Sequence, residues 1–346
     1  MQPFYMPALW PLGSVIKTVS EPEAAQPVKN EAFPFLDIPG NLTSMVASLR
    51  NFLLALLCVY SLPAAYGAQY PAFGDARDLQ WSWMWPLLTR NILATWIICG
   101  FWDWFLYFSP YKNKLHKYKM NHKYPSWRQF KHDAFFTTLT SCWATVIEIL
   151  LCHWWASGVL SWQQHLGETP LRNVLVALML THIRIPHFHI THRLMHPWKT
   201  KHIPDVGKFL YKHVHSLHHK SYNPTAFSGT SMHPVEGTIY YTASLIPVYF
   251  GLHPTFAVAT IIDLALGAWL GHDGFQWPGS GDYFHLLHHQ HFDGNYGVMH
   301  VPLDWLFGTF IKQKGDLTKV WVGQESGEEA NETKVHPGDN ENKKNE

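Results

Sequence analysis

Eighteen of the 24 histidines in this 346-residue chain fall between His182 and His300. Three clusters stand out: His192-Arg193-Leu194-Met195-His196, His215-Ser216-Leu217-His218-His219 and His285-Leu286-Leu287-His288-His289. On a helix, positions i, i+3 and i+4 share one face, so each H-x-x-H-H cluster can aim three imidazoles into one space. Buried neutral imidazoles need partners for their nitrogens, and a metal ion takes the lone pairs directly. Imidazole suits iron, zinc, copper and nickel. Eight such ligands exceed what one tetrahedral ion uses, so the arithmetic favours two ions. A lone H-x-x-x-H is ordinary on a surface helix; the repeated spacing makes this a metal-site pattern.

Two further histidines are candidate ligands. His233 stands in SMHPVEG, and His272 opens HDGF directly after an apolar segment that delivers it to the cluster side. His182, His187, His189, His202, His213, His291 and His300 are read as hydrogen-bonding neighbours or interfacial residues. Glu236, Asp273, Asp304 and Asn295 are candidates to orient the ligand rings, because a ligating imidazole usually donates its second N–H to a nearby oxygen.

The elements that must position these rings are apolar. Only 15% of the residues are charged and 47% are hydrophobic, against about 25% charged in soluble proteins. The 17 Trp, 15 Tyr and 21 Phe are residues that collect at membrane–water interfaces. Four apolar stretches, Met45–Ala65, Met84–Phe108, Phe135–Leu160 and Leu171–Ile190, each approach the ~20 residues of a spanning helix. Arg50, His182 and Arg184 interrupt them, and ionisable groups at that depth face a bundle interior or a site. Between the second and third stretches, Tyr111–Lys131 holds seven Lys or Arg and no acid, which keeps that loop cytoplasmic. The chain then re-emerges on the cytosolic side near Thr191, where the histidine clusters begin. Thr238–Leu270, with Pro247 and Pro254 inside it, divides into arms of ~18–24 Å as helix. Those fall short of a ~30 Å hydrocarbon core, so a re-entrant or interfacial hairpin is expected.

The fold class expected is therefore an all-α integral membrane protein. About four transmembrane helices and that hairpin carry a cytosolic, histidine-rich helical cap with a dimetal site. Residues 1–40 read as a poorly ordered N-terminal segment, 41–322 as the membrane domain with its histidine-box region at 182–310, and 323–346 as a polar disordered tail. The first 16 residues lack Lys and Arg and contain Pro3, Pro7 and Pro11, unlike a secretory signal. Lys343-Lys344 near the end is similar to the dilysine retrieval signal of endoplasmic-reticulum membrane proteins, an address rather than an anchor. Cys58, Cys99, Cys142 and Cys152 lie in apolar stretches without C-x-x-C spacing and read as small hydrophobes. A net charge of +1 makes no case for nucleic acid.

Over roughly Phe188–Phe310 the chain resembles the fatty acid hydroxylase/sterol desaturase superfamily of membrane non-haem di-iron oxygenases. The resemblance rests on HRLMH, LYKHVHSLHHKSYNPTAFSGTSMHPVEG, GHDGF, HLLHHQHFDGNYG and LDWLFGTF. It implies a four-helix membrane core under a cytosolic catalytic cap. It also implies two iron ions held by His192, His196, His215, His218, His219, His285, His288 and His289, with His233 and His272 as further ligands; zinc fits the same cage. The implied chemistry splits dioxygen with two electrons from an external carrier such as cytochrome b5, and removes hydrogen from an unactivated C–H bond to leave an alcohol or an alkene. HKSYNPTAF, HPVEG and HDGF are most similar to sterol C-5 desaturase (lathosterol oxidase) members. The connection PWKTKHIPDVGKF between His196 and Leu210 is longer than the family's, and HLLHHQHFDGNYG matches the third box only approximately.

Substrate choice lies in a pocket that the boxes do not describe. Hydroxylation of a fatty acyl chain, an alkane or a sterol methyl group competes with sterol desaturation. A histidine-rich metal transporter is the reading from another class, but it needs ligands at the bilayer midplane on discontinuous helices. Lys201, Lys208 and Lys212 could attract an acidic electron carrier or bind lipid head groups.

Overall fold

In lipid a chain must satisfy its own backbone hydrogen bonds, which favours helices, and the long apolar stretches of this protein are helical. The structure, a computed structural model, describes residues 38–61, 75–120, 125–199, 202–277 and 282–311. The expectations for the N-terminal segment before Ile38, for the tail and for Lys343-Lys344 lie outside the described residues. Helix α1 is Ile38–Leu56, α2 Trp81–Asp103, α3 Trp127–Ala156 and α4 Pro170–Leu194. With the π-helical turns that extend α1 and α2, these are four helices long and apolar enough to cross a membrane. Among the described residues the only β pairing is one antiparallel bridge, Lys119 to Phe275.

The helix ends are set by local chemistry. Ser126 caps α3 by accepting the Gln129 N–H at 3.1 Å, and Pro170 opens α4, where its missing N–H costs nothing. α3 begins eight residues before the apolar stretch at Phe135 because its first turns are polar but inward-facing, with Asp133 fully buried. α4 likewise runs past Ile190 to Leu194, so His192 is helical while His196 lies just beyond the end.

Polar residues within the spans face one another. Asp263 accepts from Asn51 Nδ2 and Thr181 Oγ1, both at 2.7 Å, and pairs with the Arg184 guanidinium. Arg90 likewise pairs with Glu148, which also accepts from Asn91 at 2.9 Å. A buried carboxylate is tolerated only with such partners, and here they tie α1 to α4 and α2 to α3. The opposite faces are the lipid-facing ones, where Val46, Leu53, Trp85, Ile97, Phe135 and Val174 are exposed.

Of the two forms expected for the Thr238–Leu270 hairpin, the structure has the re-entrant one. Helix α5 is Val206–His213, α6 Pro234–Tyr241 and α7 Pro254–Leu270. The turn before α7 reaches the far end of the bundle, where Gln163 N–H donates to Gly251 O at 3.0 Å. Helix α7 packs against α1 and α4 and buries residues on nearly every side. It returns the chain to its starting end, as expected, and as an inner helix rather than an interfacial one. Its 17 residues rise ~25 Å, and neighbouring helices, not lipid, cover it.

Candidate metal centre

The three boxes reach the site on different elements. His192 ends α4 and His196 follows it; His285, His288 and His289 lie on α8, Asp282–His291. The second box is not the α-helical face expected but a 3₁₀ turn, His215–Lys220. Its rings nevertheless divide between two groups. His192, His196, His215, His219 and His288 form one, and His218, His272, His285 and His289 the other; within each, the ligand atoms lie within 4.8 Å of one another. The third box also divides, His288 to the first group and its companions to the second.

Nine of the ten predicted ligands therefore converge. His233 does not: it caps α6, its Nδ1 accepting the Val235 N–H at 3.2 Å. The proline that follows opens the helix, and the capping ring lies outside both groups.

The hydrogen bonds decide which nitrogen faces inward. A carbonyl oxygen only accepts, so the ring nitrogen beside it must donate. His192 Nδ1 donates to Tyr296 O at 2.7 Å, His288 Nδ1 to Gly294 O at 2.8 Å, His272 Nδ1 to Ala268 O at 2.7 Å and His218 Nδ1 to Ser231 O at 3.4 Å. His215 Nδ1 lies 2.7 Å from Glu236 Oε1. Each bond turns an Nε2 lone pair towards the group's centre. There the Nε2 atoms crowd: His272–His285 2.9 Å, His272–His289 3.1 Å and His285–His289 3.1 Å form a closed triangle. His215 Nε2 stands 3.1 Å from that of His192 and 3.0 Å from that of His219. Inward-turned Nε2 lone pairs at these distances are the arrangement that a cation among them would satisfy. Both nitrogens of buried His196, and Nε2 of His288, have no hydrogen-bond partner. The donor set thus fits a pair of imidazole-loving ions.

Glu236 is the one carboxylate of the expected set that touches a converging ring. Asp304 instead accepts the Tyr296 and Gly297 N–H groups at 2.8 and 2.7 Å, holding the loop whose Tyr296 carbonyl orients His192. Asn295 accepts the Ile311 N–H and donates to Phe284 O, at 2.7 and 3.1 Å. Asp273 accepts from the indoles of Trp102 and Trp277, at 2.9 and 2.7 Å. Asp133, outside the expected set, accepts from Ser221, Ser228 and Ser231 at 2.7–3.0 Å and so ties α3 to the stretch after the second box. Its signal was available: a lone acid at the head of an apolar segment.

Glu236 lends itself to a direct check. Glu236→Leu removes the acceptor that turns His215, and metal affinity of the five-ring group is expected to fall about 10–100-fold. Glu236→Gln keeps an acceptor oxygen and should restore most of it. Metal titration of the two variants separates orientation from simple loss of packing.

The cage also dictates a pH response. Burial holds His215 down to about 3 and His272 to about 4. Burial, reinforced by neighbouring imidazoles, keeps His196, His218, His219, His285, His288 and His289 well below the ordinary value of 6.5. Below that value the unfolded chain takes up protons that the folded cage refuses. The stability is therefore fully present above about pH 6.5 and is lost as pH falls. The melting temperature of metal-free protein should decline steadily from about pH 6.5 to about pH 4; a flat profile would contradict a neutral, buried cage.

Apolar spans topped by paired histidine groups define a helical membrane protein with a candidate dimetal centre. Residues 174–309 match the fatty acid hydroxylase family model. It is similar to a putative Delta(7)-sterol-C5(6)-desaturase 2 of Arabidopsis thaliana, 27% identical over 66% of this chain and 80% of the relative. A Delta(7)-sterol-C5(6)-desaturase of Nicotiana tabacum is 32% identical over 32% of this chain and 44% of its own. Methylsterol monooxygenase 2-2 of Arabidopsis thaliana is 28% identical over 38% and 54% respectively. These are names of oxidoreductases, and the recognised resemblance to sterol C-5 desaturase-like members agrees with them. No solved structure matches.

Proposed function

We propose that this protein is a membrane-bound, O2-dependent lipid oxidoreductase that holds two iron ions and introduces a C-5 double bond into a sterol. The observation that carries the reading is the two adjoining imidazole groups, of five and four rings, with lone pairs fixed inward. The sterol assignment is supported by the desaturase names, above all the relative matched over 80% of its length. The ions, when bound, supply activation of dioxygen towards an unactivated C–H bond. Zinc fits the same rings but lacks that redox chemistry.

The chain's own residues prepare the site. Glu236 and the carbonyls of Ala268, Gly294 and Tyr296 fix the ring orientations. Seven of the nine rings are buried, whereas His285 and His289 are half-buried, so the four-ring group is the more open side, where a lipid approaches. Burial of the remainder keeps water out and limits side reactions.

The basic segment joins the site end of the bundle: Met120 N–H donates to Gly274 O at 3.0 Å and Gln276 N–H to Tyr118 O at 2.7 Å. By the charge rule for short loops, that end faces the cytosol, in keeping with residence in the endoplasmic reticulum membrane and electron supply by cytochrome b5 or a similar carrier. Convergence of the rings at one end of the bundle disfavours the transporter reading, which needs them at mid-bilayer. Hydroxylation of an acyl chain or a sterol methyl group is the competing reading, favoured by the methylsterol monooxygenase relative. Lipid mass spectrometry of cells lacking the protein, beside complemented cells, separates the two. Accumulated Δ7 sterols support desaturation; an unchanged ratio of Δ7 to Δ5,7 sterols sinks it, and a missing hydroxylated lipid points to the alternative.

A further inference from the structure

The described part of the connection between the first two boxes, 197–199 and 202–214, is folded. Asp205 accepts the Lys208 N–H at 2.8 Å and caps α5, and it also gathers the Trp198 and Lys199 N–H groups at 3.0 and 2.9 Å. Helix α5 has three faces. Gly207 and Tyr211 are buried. A Cβ on Gly207 would lie 2.1 Å from His196 O, so the helix rests directly on the backbone of a ring of the five-ring group. Lys208 and Lys212 form an exposed basic face. On the third face Val206 and Phe209 are exposed, at 47% and 61%, with Ile203 just ahead of the helix at 58%.

That apolar face has a neighbour of the same kind. Ile190 and Leu194, on the last turns of α4, are exposed on a helix long and apolar enough to span. Trp198 Nε1 donates to Leu194 O at 3.0 Å, joining the end of that helix to the segment leading into α5. Phe307, 61% exposed, stacks on His189 of α4 with centroids 5.4 Å apart. Exposed apolar residues thus continue from the span onto the cap. An apolar face flanked by lysines is the pattern of a helix lying in a bilayer interface, and lysines there favour anionic lipid. An acidic protein carrier would satisfy the lysines but would leave Val206 and Phe209 without an equivalent partner.

We propose that α5 is an interfacial helix, with Ile203, Val206 and Phe209 in the acyl boundary and Lys208 and Lys212 on anionic phospholipid head groups, seating the first histidine box at the membrane surface. The inference rests on the spanning helices alone and stands whatever lipid is oxidised.

The test uses the full chain in nanodiscs of phosphatidylcholine with or without phosphatidylserine, carrying a benzophenone probe through Phe209→p-benzoylphenylalanine. The same probe at Ile190 is the lipid-facing control. Irradiation is expected to give lipid adducts at both positions. At position 209, phosphatidylserine should be enriched about five-fold over its share of the bilayer, and Lys208→Glu with Lys212→Glu should abolish the enrichment. Lipid adducts at 190 but none at 209 overturn the proposal. So does enrichment that survives the charge reversal. Displacement of the lipid adduct by a protein adduct when cytochrome b5 is added overturns it in favour of carrier docking.

Discussion

Replacing His288 with alanine is expected to halve the metal content of the protein, from about two ions per chain to about one, and to lower turnover by more than about a hundredfold. His288 belongs to the five-ring group, with its Nδ1 committed to Gly294 O and its buried Nε2 aimed at the centre. His285, one turn earlier on the same helix, belongs to the other group. His285→Ala should therefore produce the same stoichiometry by emptying the opposite position, with a similar loss of turnover. Losing a partner beyond the ligands already costs about 10–100-fold in such centres, so losing a ligand costs more. Metal analysis beside turnover, on protein shown to melt cooperatively, reads both effects. Unchanged metal content in the two variants would remove the paired-ion reading.

A single methyl group on a residue that offers no ligand atom should be almost as damaging. In Gly229→Ala the new Cβ would meet Ala268 O at 2.3 Å, Ala268 C at 2.4 Å and Trp269 N at 2.7 Å. All three are backbone atoms of the last turn of α7, so no rotamer relieves the contact. Overpacking of this kind costs about 1–3 kcal/mol. Ala268 O is also the acceptor that fixes His272 Nδ1, at 2.7 Å, so the displaced turn carries the ring with it. The four-ring group should lose about 10–100-fold in metal affinity, while the five-ring group, which contains no residue of that segment, keeps its ion. Gly167→Ala, with nothing within 4 Å of its Cβ, provides the matched control. A Gly229→Ala protein that binds two ions with unchanged affinity would show that α7 does not hold His272 in place.

The opposing outcomes for His272 and His233 show where sequence logic ends. Both stand in similar polar segments, and both were candidates for the same task. His272 follows a helix that runs through the bundle and delivers it to the cluster; His233 precedes a proline that opens a helix, and the ring caps it. The spacing of the boxes was legible because side-chain direction along a helix is a local property. Asp133 stands outside the expected set because its three serine partners come from a segment about 90 residues away.

By itself the sequence located the four apolar stretches and the spacing of the eight box histidines, since hydropathy and residue type act through near neighbours. Only the tertiary structure decided how the rings divide into five and four, that α7 is an inner helix, and which carbonyls turn each imidazole. Those facts depend on atoms brought together from distant segments: a glycine against a helix end, a buried nitrogen without a partner. No local pattern encodes them, because each is a property of packing between elements rather than within one.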